Sequence, residues 1–138
     1  MLKRLMDIGV SAIALAVCGP LLFLLALLVR LYDGGPAFYR GVRVGRHRKT
    51  FRILKLRTMI VGAEGLGGSS TPQDDPRLTR MGKYLRRHKL DELPQLINVL
   101  KGEMSLVGPR PQVPWAVELY GDEAKELLGV RPGMTDYA

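Results

Sequence analysis

The chain has little of several features that mark common protein classes. Its single cysteine, Cys18, excludes a disulfide framework and a zinc site built from thiolates. Aromatic side chains make up only 7% of its 138 residues, so few surfaces are available for stacking on nucleic-acid bases. Charged side chains are absent from residues 8–29 altogether. Because such a run is costly to expose to water, the sequence indicates an apolar environment for this segment.

The uncharged run is long enough to enter a membrane. A straight helix over residues 8–29 would extend about 33 Å, which matches the hydrocarbon core of a bilayer. Pro20, next to Gly19 in the middle of the run, removes a backbone hydrogen bond and predicts a kink or a helix–break–helix. A signal peptide has a shorter apolar region and a small-residue cleavage site, and about 110 remaining residues are too few to enclose a buried helix of this length.

Flanking charges predict how the segment is oriented. No acidic residue occurs between Asp33 and Glu64, whereas lysines and arginines are frequent there, and this pattern is typical of the cytoplasmic side. Lys3 and Arg4 favour the same side, so we expect a re-entrant helix that enters one leaflet and returns. The net charge of +8 suits anionic phospholipid headgroups. We expect no nucleic-acid partner, because the basic residues form no recognised binding motif.

The remaining residues predict a small, mostly helical domain that contains a β-hairpin, an α/β fold. Partial alternation of apolar and basic residues over 38–44 and 51–57 indicates the hairpin. Helices are predicted over 80–88 and 91–100, and two short ones over 115–128, divided near Gly121; residues 65–76 read as a loop. The predicted organisation is a re-entrant membrane helix at 1–32, kinked at Gly19-Pro20, followed by a cytoplasmic domain at 33–138.

Asp91 and Glu92 stand at the start of the predicted 91–100 helix. Its apolar face is formed by Leu93, Leu96, Ile97 and Leu100, and the two carboxylates, with Gln95 and Asn98, lie off that face. The start of a helix attracts anions, including phosphate. However, aspartate is also a favoured N-cap and glutamate suits a first turn. A helix cap and a functional carboxylate pair both remain open at this point.

Five motifs follow one another along the chain, and together they resemble the bacterial sugar transferase family, the small monotopic polyprenol-phosphate phosphoglycosyl transferases. The motifs are Lys55–Met59, Leu90–Gln95, Asn98–Ser105, Val107–Pro111 and Val130–Thr135. The resemblance implies transfer of a sugar 1-phosphate from a UDP-sugar to undecaprenyl phosphate, with release of UMP. It also implies a monotopic protein of the bacterial inner membrane, facing the cytoplasm, that initiates synthesis of a cell-surface glycan.

The resemblance also assigns roles to individual residues. Asp91 would be the nucleophile that forms a covalent phosphosugar intermediate. Glu92 would hold Mg²⁺, which prefers oxygen ligands and phosphate. Lys55, Arg86 and Arg110 would bind the substrate phosphates.

One departure and two alternatives accompany these expectations. Family members continue beyond the Arg131-Pro132-Gly133 motif, so we expect a C-terminal tail of the family, with its contacts to the nucleotide sugar, to be missing. The first alternative function is a membrane-tethered basic binding module in which Asp91 and Glu92 only cap a helix. The second is an enzyme that transfers the sugar phosphate directly, without a covalent aspartate.

Overall fold

The structure, a computed structural model, describes residues 1–66, 75–121 and 124–136. It is a mixed fold of helices and short strands that follows one long N-terminal helix. Its elements in chain order are α1 Leu2–Asp33, β1 Phe38–Val44, β2 Thr50–Leu56, α2 Arg80–Arg87, α3 Gln95–Lys101, β3 Ser105–Val107, α4 Pro114–Leu119, α5 Ala124–Leu128 and β4 Gly133–Thr135.

Helix α1 is long and apolar enough to cross a membrane by length and composition, with a mean hydropathy of 2.8 in its most apolar stretch. It continues through Gly19 and Pro20 without interruption, so the helix–break–helix alternative is wrong. The kink at this position stays a prediction. Most of the large apolar side chains of α1 are exposed, whereas one face packs on the rest of the protein. That face carries the buried residues Asp7, Ser11, Leu22, Leu25 and Val29.

The N-terminal end of α1 is attached to the domain by polar contacts. Lys3 Nζ donates to Ser105 Oγ at 2.7 Å, and Asp7 Oδ2 accepts a hydrogen bond from the same hydroxyl at 2.8 Å. Arg4 donates to two carbonyl groups at the end of α3, at 2.6 and 2.9 Å. The last carbonyls of a helix lack intrahelical partners, so Arg4 satisfies groups that otherwise need water.

The C-terminal end of α1 contacts the same domain. Arg57, which follows β2, donates to both carboxylate oxygens of Asp33, one of them at 2.6 Å, and to the carbonyl of Pro36 at 2.6 Å. Leu22, Leu25 and Val29 pack beside this ion pair in a buried cluster that includes Leu56 and Leu85. Both ends of the long helix therefore lie against one domain.

The predicted hairpin is confirmed. Strands β1 and β2 are antiparallel, and Tyr39 faces Lys55 in the register. The helix over 80–88 is confirmed as α2, which Thr79 caps by accepting from the Gly82 amide at 2.8 Å. The two short helices over 115–128 are confirmed as α4 and α5. Most of the predicted loop over 65–76 lies outside the described residues.

The prediction for residues 91–100 needs two corrections. A 3₁₀ turn, Leu90–Glu92, comes first, and α3 begins only at Gln95. Gln95 and Asn98, expected off the buried face, are 3% and 0% exposed. The reason is that α3 is covered on more than one side, since it packs against both α1 and β2.

The parallel pairing of β3 with β4 was not predicted from the sequence. It depends on a close approach of two glycines, because a Cβ on Gly133 would lie 2.1 Å from the Gly108 nitrogen. The Gly133 amide donates to the Pro109 carbonyl at 2.8 Å. This pairing joins two of the sequence motifs and fixes the backbone immediately before Arg110.

Candidate active site

Asp91 lies in the 3₁₀ turn between α2 and α3. The chain enters this turn through Lys89, whose φ of 57° places it in the left-handed region. No side chain caps the turn or α3, so Asp91 does not serve as the N-cap that its sequence position also allowed. Its side chain points inward instead, and the residue is 6% exposed. The structure therefore removes the capping explanation for a carboxylate at this position.

Burial and nearby charges both shift the pKa of the Asp91 carboxyl. Burial raises the pKa of the Asp91 carboxyl, because the charged form loses hydration. Lys55 and Arg86 lower this pKa, whereas the neighbouring Glu92 carboxylate raises it further. A buried carboxylate with a raised pKa is a better nucleophile than an exposed one, since basicity and nucleophilicity rise together.

Lys55 and Glu92 form an ion pair beside Asp91. Lys55 Nζ donates to Glu92 Oε1 at 2.8 Å, and each side chain is about one-fifth exposed. Lys55 is near the end of β2 and Glu92 ends the 3₁₀ turn, so the pair joins two elements. The structure thus brings together a predicted phosphate-binding lysine and a predicted metal ligand.

A cavity of about 530 Å³ opens next to this pair. Lys55, Glu92 and Arg110 all line it, as does the buried amide side chain of Gln95. Its volume lies within the range of small-molecule sites. Asp91 lies directly beside Glu92 in the chain but is buried rather than part of the cavity wall.

Arg86 is near enough to Asp91 for its charge to lower the pKa of that carboxyl, and a hydrogen bond holds it in place. Helix α2 passes close to the chain after β2, where a Cβ on Gly82 would lie 1.9 Å from the Thr58 carbonyl oxygen. This contact brings Arg86 Nε to within 3.2 Å of Thr58 Oγ1. Arg86 therefore contributes its charge near the Asp91 carboxyl, whereas Lys55 and Arg110 contribute theirs at the cavity.

Several residues of the site were missed in the sequence. Gln95 and Asn98 were placed off the apolar helix face, and no role was predicted for Thr58, which lies within the first motif, or for Gly82. The aromatic residues Trp115 and Tyr120 line the cavity as well. An available signal was the occurrence of two amides, Gln95 and Asn98, inside an otherwise apolar helix, because buried amides need specific partners.

The carboxylates near the cavity determine which kind of magnesium site could form there. Within the described ranges, no group of three or more His, Cys, Asp or Glu side chains could enclose a metal ion. Mg²⁺ usually keeps several waters and is held by one or two carboxylates together with substrate phosphates. The partly exposed carboxylate of Glu92 on the cavity wall fits such a substrate-dependent site, and the described carboxylates do not fit a closed structural one.

A comparison with protein families supports the class of this site. The family model described as bacterial sugar transferase matches residues 1–138, so this chain belongs to the bacterial sugar transferase family. The resemblance drawn from the five motifs is thereby confirmed. Several of its relatives are named as transferases that act on undecaprenyl phosphate.

Three curated relatives illustrate the sugars for which similar proteins are named and how much of each protein this chain covers. A Bacillus subtilis protein, provisionally named an undecaprenyl-phosphate N-acetylgalactosaminyl 1-phosphate transferase, is 45% identical over 122 residues, covering 88% of this chain and 68% of the relative. The UDP-glucose:undecaprenyl-phosphate glucose-1-phosphate transferase of Caulobacter vibrioides is 42% identical, covering 99% of this chain and 52% of that protein. The undecaprenyl-phosphate galactose phosphotransferase of Salmonella typhimurium is 42% identical, covering 97% of this chain and 31% of that protein. The chain thus spans 31–68% of the length of these relatives.

Proposed function

We propose that this chain transfers a sugar 1-phosphate from a UDP-sugar to undecaprenyl phosphate through a covalent intermediate on Asp91, with release of UMP. The observation that carries the proposal is the buried Asp91 carboxyl, which caps no helix, feels the charges of Lys55 and Arg86, and is next in the chain to Glu92 on the wall of an open cavity. Membership of the sugar transferase family supports the same reaction class.

In the first step, an Asp91 carboxylate oxygen attacks the phosphorus that carries the sugar. A bond forms between that oxygen and the phosphorus, and the bond from this phosphorus to the oxygen bridging the two phosphates breaks. UMP leaves with the bonding electron pair. The product is a mixed anhydride of Asp91 and the sugar phosphate.

The Lys55–Glu92 pair prepares the site for this anionic substrate. Each member neutralises the other when no substrate is bound, since they lie 2.8 Å apart. When the diphosphate enters, Lys55 can turn to a phosphate oxygen, and Glu92 then becomes free to act as a metal ligand. Mg²⁺ held by Glu92 and the diphosphate would reduce repulsion between the nucleophile and the phosphates. Arg110, fixed between two prolines, adds charge at the cavity wall.

The second step returns Asp91 to its starting state. A phosphate oxygen of undecaprenyl phosphate attacks the same phosphorus, and the bond from phosphorus to the Asp91 oxygen breaks. The lipid diphosphate sugar leaves, and the carboxylate is free again. This step requires that a lipid phosphate reach a site that also admits a water-soluble nucleotide.

Contacts at both ends of α1 support a re-entrant helix that places the site at the cytoplasmic membrane surface. The helix is about 48 Å long at 1.5 Å per residue, so a straight spanning helix would separate its ends by more than the bilayer core. Yet Asp7 binds Ser105 near one end, and Asp33 binds Arg57 at the other. Since both partners belong to one domain, a return of the chain to the same side accounts for the contacts. The basic stretch after α1 supports the cytoplasmic side of a bacterial inner membrane.

Aromatic residues of the cavity support a nucleotide as the donor. Trp115 and Tyr120 line the same cavity as Lys55 and Arg110. A UDP-sugar carries a planar base on one side of its diphosphate, and aromatic side chains stack well on such bases. The cavity therefore offers both an aromatic and a cationic surface to one ligand.

Release of UMP is the experiment that tests this function. The full chain, reconstituted with undecaprenyl phosphate, is given UDP-glucose, UDP-galactose and UDP-N-acetylgalactosamine in turn, since the relatives are named for these sugars. We expect UMP from at least one donor and none from Asp91→Asn. Membrane or lipid binding without UMP from any UDP-sugar would favour the binding module.

Incubation without lipid separates covalent from direct transfer. We expect UDP-sugar alone to add the mass of one sugar phosphate to a peptide containing Asp91. Full turnover with lipid, together with no such adduct and no exchange of labelled UMP, would instead establish direct transfer.

A further inference from the structure

Asn98 is completely buried in α3, and its side-chain amide is fully used. Its Oδ1 accepts from the Leu54 amide at 2.9 Å, and its Nδ2 donates to the Arg52 carbonyl at 2.9 Å. The second Nδ2 hydrogen goes to Glu103 Oε2 at 2.7 Å. A carboxamide supplies one acceptor and two donors in one plane, which is the combination that these three partners require.

Two of these bonds act on the outer edge of β2. The opposite edge of that strand pairs with β1, so Arg52 and Leu54 present unpaired backbone groups toward α3. Asn98 bonds to a carbonyl and to the amide two residues later, as one residue of an added strand would do. These two hydrogen bonds prevent β2 from sliding past α3 at the residues immediately before Lys55.

Lys55 and Glu92 belong to the two elements that this contact joins. Lys55 directly follows Leu54 on β2, whereas Glu92 lies three residues before the start of α3. A strand that slipped by one residue would direct the Lys55 side chain to the opposite face. The 2.8 Å contact between Lys55 and Glu92 therefore requires that β2 keep its present position relative to α3.

We propose that Asn98 is a positioning residue that locks β2 onto α3 so that Lys55 meets Glu92 beside the Asp91 carboxyl. Asn98 lines no part of the cavity and acts through Lys55. Its effect on turnover rests on the proposed function, but its effect on the Lys55–Glu92 pair does not.

Glu103 provides a matched control. Replacing Glu103 by alanine removes the third bond of Asn98 but leaves both bonds to β2 in place, and Glu103 is partly exposed, so water can take its place. Leu96→Ala is a second control, since it removes a buried side chain from the same helix without touching these hydrogen bonds. Asn98→Asp keeps the acceptor for the Leu54 amide and loses the donor to the Arg52 carbonyl.

The first measurement needs no activity. The full chain in lipid vesicles is treated with an amine-acylating reagent, and the labelling rate of Lys55 is compared by mass spectrometry with that of the exposed Lys49. An amine held by a carboxylate reacts slowly. We expect Asn98→Ala to raise the Lys55 rate toward that of Lys49, and Glu103→Ala and Leu96→Ala to leave it at the parent value. An unchanged Lys55 rate in Asn98→Ala would overturn the proposal, and Asn98→Asp decides in the same way if the alanine variant does not fold.

The second measurement is a double-mutant cycle on UMP release. We expect Asn98→Ala to lower the rate by about ten-fold in the parent and by less than about two-fold when Lys55 is already alanine. Equal losses in both backgrounds would show a general structural role and overturn the proposal. If the parent releases no UMP, the proposed function fails while the labelling result still decides the role of Asn98.

Discussion

Lys55 Nζ and Glu92 Oε1 lie 2.8 Å apart, although 36 residues separate them in the chain. Each would bind a different part of a magnesium-bound diphosphate, and without substrate each compensates the charge of the other. The pair is only partly exposed, so separating it without new partners is costly. A substrate that offers a phosphate to one member and a cation to the other removes that cost. We therefore expect the ion pair to favour ligands that carry both a phosphate and a cation.

The state of Asp91 makes stability depend on pH. Burial raises the pKa of Asp91, so the folded protein keeps this proton at a pH where the unfolded chain has lost it. The neutral carboxyl is tolerated below the unfolded pKa, and stability is lost as pH rises through the folded pKa. We expect Asp91→Asn to match the parent near about pH 4 and to become the more stable protein toward about pH 8, as seen in urea denaturation midpoints. A difference that stays constant over this range would contradict burial of an ionisable Asp91.

Replacement of Glu92 by glutamine tests its role as a metal ligand. A neutral amide is a poorer ligand for a hard dication, so we expect a higher Mg²⁺ requirement and an activity loss of about 10–100-fold, the range found for groups that support metal sites. The measurement is UMP release over a magnesium titration. Glu118→Gln, on the exposed side of α4, is the matched control and should behave as the parent. Parent-like activity and magnesium response in Glu92→Gln would remove Glu92 from the site.

The re-entrant arrangement predicts a common side for both ends of α1. In a Cys18→Ser background, one cysteine near Lys3 and another near Gly35 should react with an impermeant thiol reagent only from the cytoplasmic side. Pro20→Leu restores a backbone donor and removes a steric clash, so we expect it to straighten the helix and to shift the first cysteine across the membrane. Labelling of the parent protein near Lys3 from the outside would rule out re-entry.

The absence of a side chain at Gly82 allows α2 to pack closely against Thr58. A Cβ at this position would lie 1.9 Å from the Thr58 carbonyl oxygen, a backbone atom that cannot turn away. We expect Gly82→Ala to destabilise the protein by about 1–3 kcal/mol, as overpacking does, in spite of the better helix propensity of alanine. It should also lower activity by displacing Arg86 from Asp91. Gly65→Ala, where a Cβ meets no atom within 4 Å, is the control for a tolerated glycine change. A gain in stability for Gly82→Ala would show that α2 can move freely.

The sequence by itself determined the elements whose signals are local. The hairpin appeared as partial alternation over residues 38–44 and 51–57, helix α2 as a short helical segment over 80–88, and α1 as an uncharged run. The family could also be recognised, because several motifs occur in a fixed order. The choice of Asp91 as a nucleophile came with that resemblance. Its local sequence alone left helix capping open as well.

Tertiary structure decided which side chains became buried and which distant side chains came into contact. Periodicity placed Gln95 and Asn98 off the apolar face of the helix. They are nevertheless buried, because α3 is covered by both α1 and β2 and a helix pattern indicates only one covered face. The Lys55–Glu92 contact and the attachment of Asp7 to Ser105 join residues far apart in the chain. Such pairs depend on strand register and on the close approach of backbones at Gly82, Gly108 and Gly133. Periodicity along one segment carries no information about the partner that a distant segment provides, so only the folded chain could determine these contacts.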